Sequence, residues 1–244
     1  KERIKRFIIK WMQIYQWNVF RKNIDLIYFP SQSMAKEFSC QRKAELPPGG
    51  FLSDIKEKEE ISKPLQVIFV GGAAQNHGVF LTIEAFEKVN KFGTIAKIFY
   101  ICPENQWNNL SIDKEKYKDW LELIHTSGDE NLKPYYEKAD IAILTAPRTF
   151  YRDFAVPIKI FEYMSYLKPM LVTDCTETAR IVNDNKVGWV VNDDVDAVAE
   201  QIRKLCNQPR EILKVKNQMI EARKKNLWIS RAERIVDDLD EIVK

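Results

Sequence analysis

The sequence predicts an α/β protein built on a doubly wound parallel sheet. Two observations carry this. Short, continuous apolar runs, among them VIFV at 67–70, IAIL at 141–144 and MLV at 170–172, mark strands covered on both faces. Segments of helical period separate these runs, which is the connection parallel strands require. In such a sheet, ligands sit beyond the carboxyl ends of the strands. The residues just after each strand are therefore the candidates for chemistry.

Composition narrows the class. The chain has 244 residues, 45% of them hydrophobic, with 38 Lys and Arg against 35 Asp and Glu, a net charge of +3. That balance implies no strong field for nucleic acid. Cys40, Cys102, Cys175 and Cys206 lie far apart, so neither a zinc site nor a disulfide framework is expected. Reduced cysteines fit a cytoplasmic protein. Two histidines give metal or triad chemistry little to work with. No signal peptide and no 18-residue apolar run is present. The chain starts at Lys1, without an initiator methionine and inside a helical pattern, so a piece of a longer polypeptide is expected.

The elements follow in order. Residues 4–20 are apolar and aromatic on a helical period with basic flanks. Residues 25–29 (DLIYF) predict a short buried strand, and Ser31 is placed to cap a short helix through Phe38. Leu46–Phe51 (LPPGGF) is a turn. The charged stretch from Asp54 to Lys63 is the candidate linker. Strands are then expected at 67–70, 97–101, 121–125, 140–145, 169–173 and 188–191. Helices are expected at 79–90, ending over 117–120, and at 132–138, 157–167, 176–183, 194–206, about 210–225 and 228–243.

Three post-strand segments could carry chemistry. Gly71–Gly78 (GGAAQNHG) follows the first long strand; its glycines let the backbone approach a phosphate, and the next helix offers free N–H groups. It has neither the G-x-G-x-x-G dinucleotide spacing nor that of a P-loop, and a plain tight turn is the equal alternative. In AVPIKIFEYMSYLKPMLVT, Pro157 suits a first helical turn, and Lys159 and Glu162 share a face three residues apart. A cation and a helix N-terminus hold a diphosphate, and a carboxylate accepts two hydrogen bonds from a vicinal diol such as ribose. The plain alternative is a surface lysine and a glutamate favourable to the helix dipole. Ile158, Phe161, Met164 and Leu167 recur at three-residue steps and are expected to pack inward. His125, Thr126 and Ser127 follow a strand and are placed to meet a base through backbone groups, although an ordinary strand end explains His125 as well. His77 has the plain reading of a residue that precedes a helix.

In this order the segments resemble the family 4-like (group 1) glycosyltransferases of the GT-B fold. The resemblance rests on LQVIFVGGAAQNHGVFLTIEAF, SGDENLKPYYEKADIAILTAP, VPIKIFEYMSYLKPMLVTD, NDNKVGWVVNDDVDAVAEQIRKL and the closing NLWISRAERIVDDL. The P-x-K-x-x-E-Y-M stretch is the most specific of these, and DLIYFPSQSMAKEF and LPPGG resemble the end of an acceptor domain and its linker. The resemblance implies three parts: residues 1–58 as a remnant of the acceptor domain with linker, 59–226 as a Rossmann-like nucleotide-sugar-binding domain, and 227–244 as a terminal crossover helix. It implies a metal-independent glycosyltransferase of hexosyltransferase type with no cofactor, whose substrate is a nucleotide sugar, a UDP-sugar by family frequency. The sugar passes with retention to an unknown sugar or lipid-linked acceptor in polysaccharide or glycolipid synthesis.

By the same resemblance Glu162 binds the ribose hydroxyls and Lys159 the phosphates, both counted as catalytic. Gly71, Gly72, Gln75 and Asn76 face the diphosphate, Thr126 and Ser127 meet the base, and Pro157 and Ile158 begin the gripping helix. The sequence departs from the family in three ways. Many members carry a glutamate eight positions before the second, where Phe154 stands here, with Asp153 one step off. Many carry Arg and Lys after the glycine loop, where Gln75, Asn76 and His77 stand. Only about 50 residues precede the linker, so this piece alone is expected to be inactive. Two other readings stay open: a non-catalytic sugar-nucleotide-binding or scaffold module, and a GT-B-fold epimerase, against which the few histidines argue. The basic, aromatic segment Arg3–Arg21 reads either as a core helix, exposed here and able to support a dimer, or as a peripheral contact with the inner membrane face.

Overall fold

The computed structural model describes residues 2–55 and 58–243. An amino-terminal part comprises α1 (Glu2–Asn23), β1 (Ile27–Phe29), α2 (Gln32–Glu37) and β2 (Lys43–Glu45). A six-stranded unit follows: β3 (Leu65–Val70), α3 (Val79–Val89), β4 (Ala96–Ile101), α4 (Glu104–Asn108), β5 (Leu121–Ile124), α5 (Asp129–Lys138), β6 (Ile141–Leu144), α6 (Phe150–Phe154), α7 (Ile158–Ser165), β7 (Met170–Thr173), α8 (Thr176–Asn185), β8 (Gly188–Val191) and α9 (Val195–Asn207). Helices α10 (Pro209–Lys225) and α11 (Trp228–Val243) close the chain.

The large sheet is parallel throughout, in the order β5-β4-β3-β6-β7-β8. The chain builds outward from β3 in one direction, then returns to build outward from β6 in the other. The point where the direction reverses lies between β3 and β6 and opens a crevice at their carboxyl ends. The apolar runs read from the sequence form the sheet core: Val67, Ile68, Ile141, Ile143, Met170, Leu171 and Val172 are wholly buried. Helix α3 packs beside α9, and α7 beside α10. The doubly wound class is as the sequence predicts.

Several local expectations need correction. Residues 117–120 do not end an α-helix; a single 3₁₀ turn, Lys114–Tyr117, opens on the side chain of Asp113. The strand at 27–29 buries only Phe29 and pairs in parallel with Lys43–Glu45, a strand that the polar sequence KAE does not announce. Ser31 caps α2 as expected, its Oγ accepting from Met34 N at 3.1 Å. Of the four residues expected to face inward from α7, Phe161, Met164 and Leu167 are buried, but Ile158 is 59% exposed. It lies in the first turn, before α7 meets its neighbours. The linker expected over 54–63 includes residues 56 and 57, which lie outside the described residues. Around them the segment is strapped to α5 and to the entry of β6: Lys133 pairs with Asp54 at 2.6 Å and Lys58 with Asp140 at 2.8 Å.

The amino-terminal part meets the rest through a few polar contacts. Ser31 Oγ donates to the Phe154 carbonyl at 2.7 Å, and Ser33 N donates to Glu177 Oε1 at 2.8 Å. Tyr28 Oη donates to Asp238 of α11 at 2.8 Å. Helix α1 buries no residue and exposes Phe7, Ile8, Trp11, Met12 and Tyr15. Among the described residues no helix is long and apolar enough to cross a membrane.

Candidate functional site

The crevice between β3 and β6 holds a cavity of about 200 Å³ lined by Phe69, Val70, Gly71, Gly72, His77, Leu144, Ala146, Arg152, Pro157 and Lys159. Its floor is the apolar strand ends. One wall is the glycine loop, where Gly71 N donates to Ile101 O at 2.9 Å and Ala73 N to the side chain of Gln106 at 3.0 Å. Between them the Gly72 N–H meets no acceptor among the described residues. A Cβ at Gly72 would run into the His77 imidazole, so a larger residue there would have to push that ring aside. Gln75–His77 form a 3₁₀ turn, and Gly78, with φ of 79°, leads into α3. A side chain at Gly78 would also strike the Thr145 carbonyl, so this glycine lets the loop seat directly on the end of β6.

The opposite wall is the start of α7. Pro157 takes the cap position with φ of −67°, and its ring removes a donor that the helix start does not need. Lys159 Nζ pairs with Glu162 Oε2 at 2.7 Å, and the Tyr136 hydroxyl donates to Glu162 Oε1 at 2.7 Å. The glutamate is only 15% exposed in its side chain and the lysine 31%. Burial, then the nearby Tyr163 and Glu162, pushes the Tyr136 phenol well above its ordinary range, which keeps it a donor to the carboxylate. Tyr136 in turn stacks on Tyr166 at 3.9 Å between ring centres. Each Glu162 oxygen holds one partner and retains a lone pair.

The structure thus brings Gly71, Gly72, Pro157 and Lys159 to one cavity, with Glu162 joined to it through Lys159. Asn76 touches it through its carbonyl, which accepts from Arg152 Nη2 at 2.9 Å. Gln75 is exposed, and Ile158 projects outside the cavity lining. Thr126 and Ser127 follow β5, two strands from β3, and lie outside the cavity lining as well. There the Ser127 carbonyl accepts from Asn131 Nδ2 at 2.9 Å, and His125 Nδ1 bonds the Cys102 carbonyl at 2.9 Å.

Asp153, the acid one step from the expected first position, is taken up elsewhere. It accepts from Thr176 N and Oγ1 at 3.0 and 2.9 Å and pairs with Arg148 at 3.0 Å. Burial works to raise its carboxyl, but the Thr176 hydrogen bonds and the Arg148 guanidinium overcome it and hold the group below the usual carboxylate range. Sequence reasoning missed Arg152 and Tyr136. The signal for Arg152 was Thr149, whose hydroxyl accepts from Arg152 N at 3.2 Å and starts a five-residue helix too short to show a period.

Comparisons with known proteins identify the family and the fold. The model of the family described as "Glycosyl transferases group 1" matches residues 52–226. No curated protein matches the sequence. Among solved structures, a glycosyltransferase from Rickettsia africae ESF-5 superposes with a TM-score of 0.73 at 14% identity, over 93% of this chain and 68% of its own. The sucrose-phosphate synthase of Thermosynechococcus elongatus gives 0.72 at 14%, over 94% and 62%. The pneumococcal O-GlcNAc transferase GtfA, solved with UDP and GlcNAc, gives 0.68 at 13%, over 94% and 47%. The chain therefore spans about half to two thirds of the length of these structures, and at such identities the likeness is one of fold. With a family model covering most of its length and the switch-point crevice of a doubly wound sheet, the chain belongs to the group 1 glycosyltransferases, of the GT-B type.

Proposed function

We propose that the β3/β6 crevice binds a nucleoside diphosphate sugar, with uridine as the base, and that the sugar passes with retention and without a metal to a sugar or lipid-linked acceptor in polysaccharide or glycolipid synthesis. The observation that carries this is the Glu162 carboxylate, held by Tyr136 and Lys159 beside a cavity walled by glycines and a helix start. In this reading the free lone pairs of Glu162 accept the two ribose hydroxyls. Lys159, the Gly72 N–H and the first N–H groups of α7 face the diphosphate. Those groups stabilise the charge that develops on the leaving diphosphate as the bond to the sugar breaks. Gln75, Asn76 and Ile158 border this site, and Thr126 and Ser127 serve the base. The UDP found with the pneumococcal neighbour supports the choice of nucleotide.

Calorimetric titration with UDP, GDP and ADP tests the reading, with Glu162→Ala as control. Binding of UDP that weakens at least tenfold in the variant is expected; no binding of any of the three sinks the proposal. A second reading, donor binding without transfer, draws on Asp153, whose ties to Arg148 and Thr176 leave no acid for the donor sugar at that position. Release of free sugar from UDP-sugars, followed by chromatography, separates the two. Slow hydrolysis of one donor favours the transferase, and stable binding of intact donor favours the binding module.

A further inference from the structure

The Lys159–Glu162 pair presents a difficulty for a diphosphate. A nucleoside diphosphate carries two to three negative charges, but the lysine in the cavity is already neutralised by a carboxylate 2.7 Å away. The residues after the glycine loop, Gln75, Asn76 and His77, add no fixed cation. Arg152 differs from every other charged group around the cavity. Its Nη2 donates to a neutral acceptor, the Asn76 carbonyl, and among the described residues it has no acidic partner. Its neighbour Asp153 is turned to Arg148 and Thr176. The guanidinium therefore brings an uncompensated positive charge to the lining, with N–H groups left in a planar fork suited to phosphate oxygens.

Helix α6 fixes that fork from both ends. Thr149 caps its start, and the Ser31 hydroxyl holds its last carbonyl, that of Phe154. The bond to Asn76 also straps α6 across the 3₁₀ turn of the glycine loop. We propose that Arg152 is the second cation of the diphosphate site, supplied from α6 in place of the basic residues that the glycine loop lacks. This rests on the donor-site reading above. It makes Arg152 a ligand of the phosphate remote from the nucleoside, and so the residue that separates a diphosphate from a monophosphate.

The test is the ratio of UDP to UMP affinity, measured by calorimetry on the whole chain as wild type, Arg152→Gln and Arg152→Lys. Both replacements keep a side-chain donor on α6, and thermal melting checks the fold. The wild type is expected to prefer UDP by about tenfold or more. Arg152→Gln should bring that preference within about threefold while leaving UMP affinity within twofold, and Arg152→Lys should fall between. A wild-type ratio retained in Arg152→Gln overturns the assignment and leaves the donor site standing. Failure of the wild type to bind either nucleotide overturns the donor-site reading and this inference with it.

Discussion

The two edges of the large sheet each carry a lysine beside a carboxylate, and they use it oppositely. At the amino edge Asp140 is wholly buried, and every direction around it is filled. Lys58 pairs with it at 2.8 Å, Gln66 N donates at 2.9 Å and Ser62 N at 3.2 Å. Nearby, the buried Lys168 donates to the Ala139 carbonyl at 2.9 Å, and Lys216 to the Lys58 carbonyl at 2.6 Å. At the carboxyl edge Glu162 has one partner on each oxygen and the cavity beside it, and among the described residues the Gly72 N–H and most of the Arg152 fork meet no acceptor. A saturated network holds structure, and a network with capacity left over can accept further partners. Residue type does not separate the two edges; the number of filled hydrogen-bond positions does.

The largest effect should come from breaking the saturated edge. Asp140→Ala leaves the Ser62 and Gln66 N–H groups without their acceptor and removes the carboxylate beside Lys58, which keeps the Lys138 carbonyl; it should destabilise the protein by about 2–4 kcal/mol in urea unfolding. A loss below about 1 kcal/mol would erase the contrast.

Lys168 sharpens it through pH. Burial, then the like charges of Lys216 and Lys58, pushes its ammonium down from 10.5 to about 7. Between those values the unfolded chain binds a proton that the folded chain does not. Stability should therefore rise as pH increases from about 7 toward 10, by an amount on the order of 2–4 kcal/mol. Lys168→Met should flatten that rise in melting curves taken across the range; an unchanged slope would assign it to other groups.

At the open edge the same measurements should show little. Glu162→Gln keeps an acceptor for Tyr136 and should shift stability by less than about 1 kcal/mol, while nucleotide affinity falls roughly tenfold. Smallest of all is α1. Phe7→Ser and Ile8→Ser remove side chains that touch no core, so the unfolding midpoint should move by the equivalent of about 0.5 kcal/mol or less.

The contrast also explains what the sequence could disclose. The strands of the sheet were legible because most contain a continuous apolar run that must be covered, and α7 because Pro157 and its buried face are local signals. Lys159 and Glu162 were legible as a pair because three residues on a helix fix their proximity. Arg152 was not, because it reaches Asn76 across 76 positions of sequence from a helix of five residues. Tyr136 was hidden for the same reason, since its hydroxyl meets Glu162 only after α5 and α7 have packed. Strand β2 was missed because its pairing depends on backbone, and KAE carries no apolar pattern. Ile158 misled because a three-residue step continues into a first turn that nothing covers.

The hydroxyl of Ser31 has a mechanical consequence. It caps α2 in the amino-terminal part and at the same time holds the last carbonyl of α6 in the six-stranded part. One side chain is thus a tether between two bodies, and its far end is the helix that bears Arg152. Any hinge movement that swings the amino-terminal part away must either snap this tether or drag α6 with it. In the second case the pull reaches the Arg152 guanidinium and its bond to the Asn76 carbonyl.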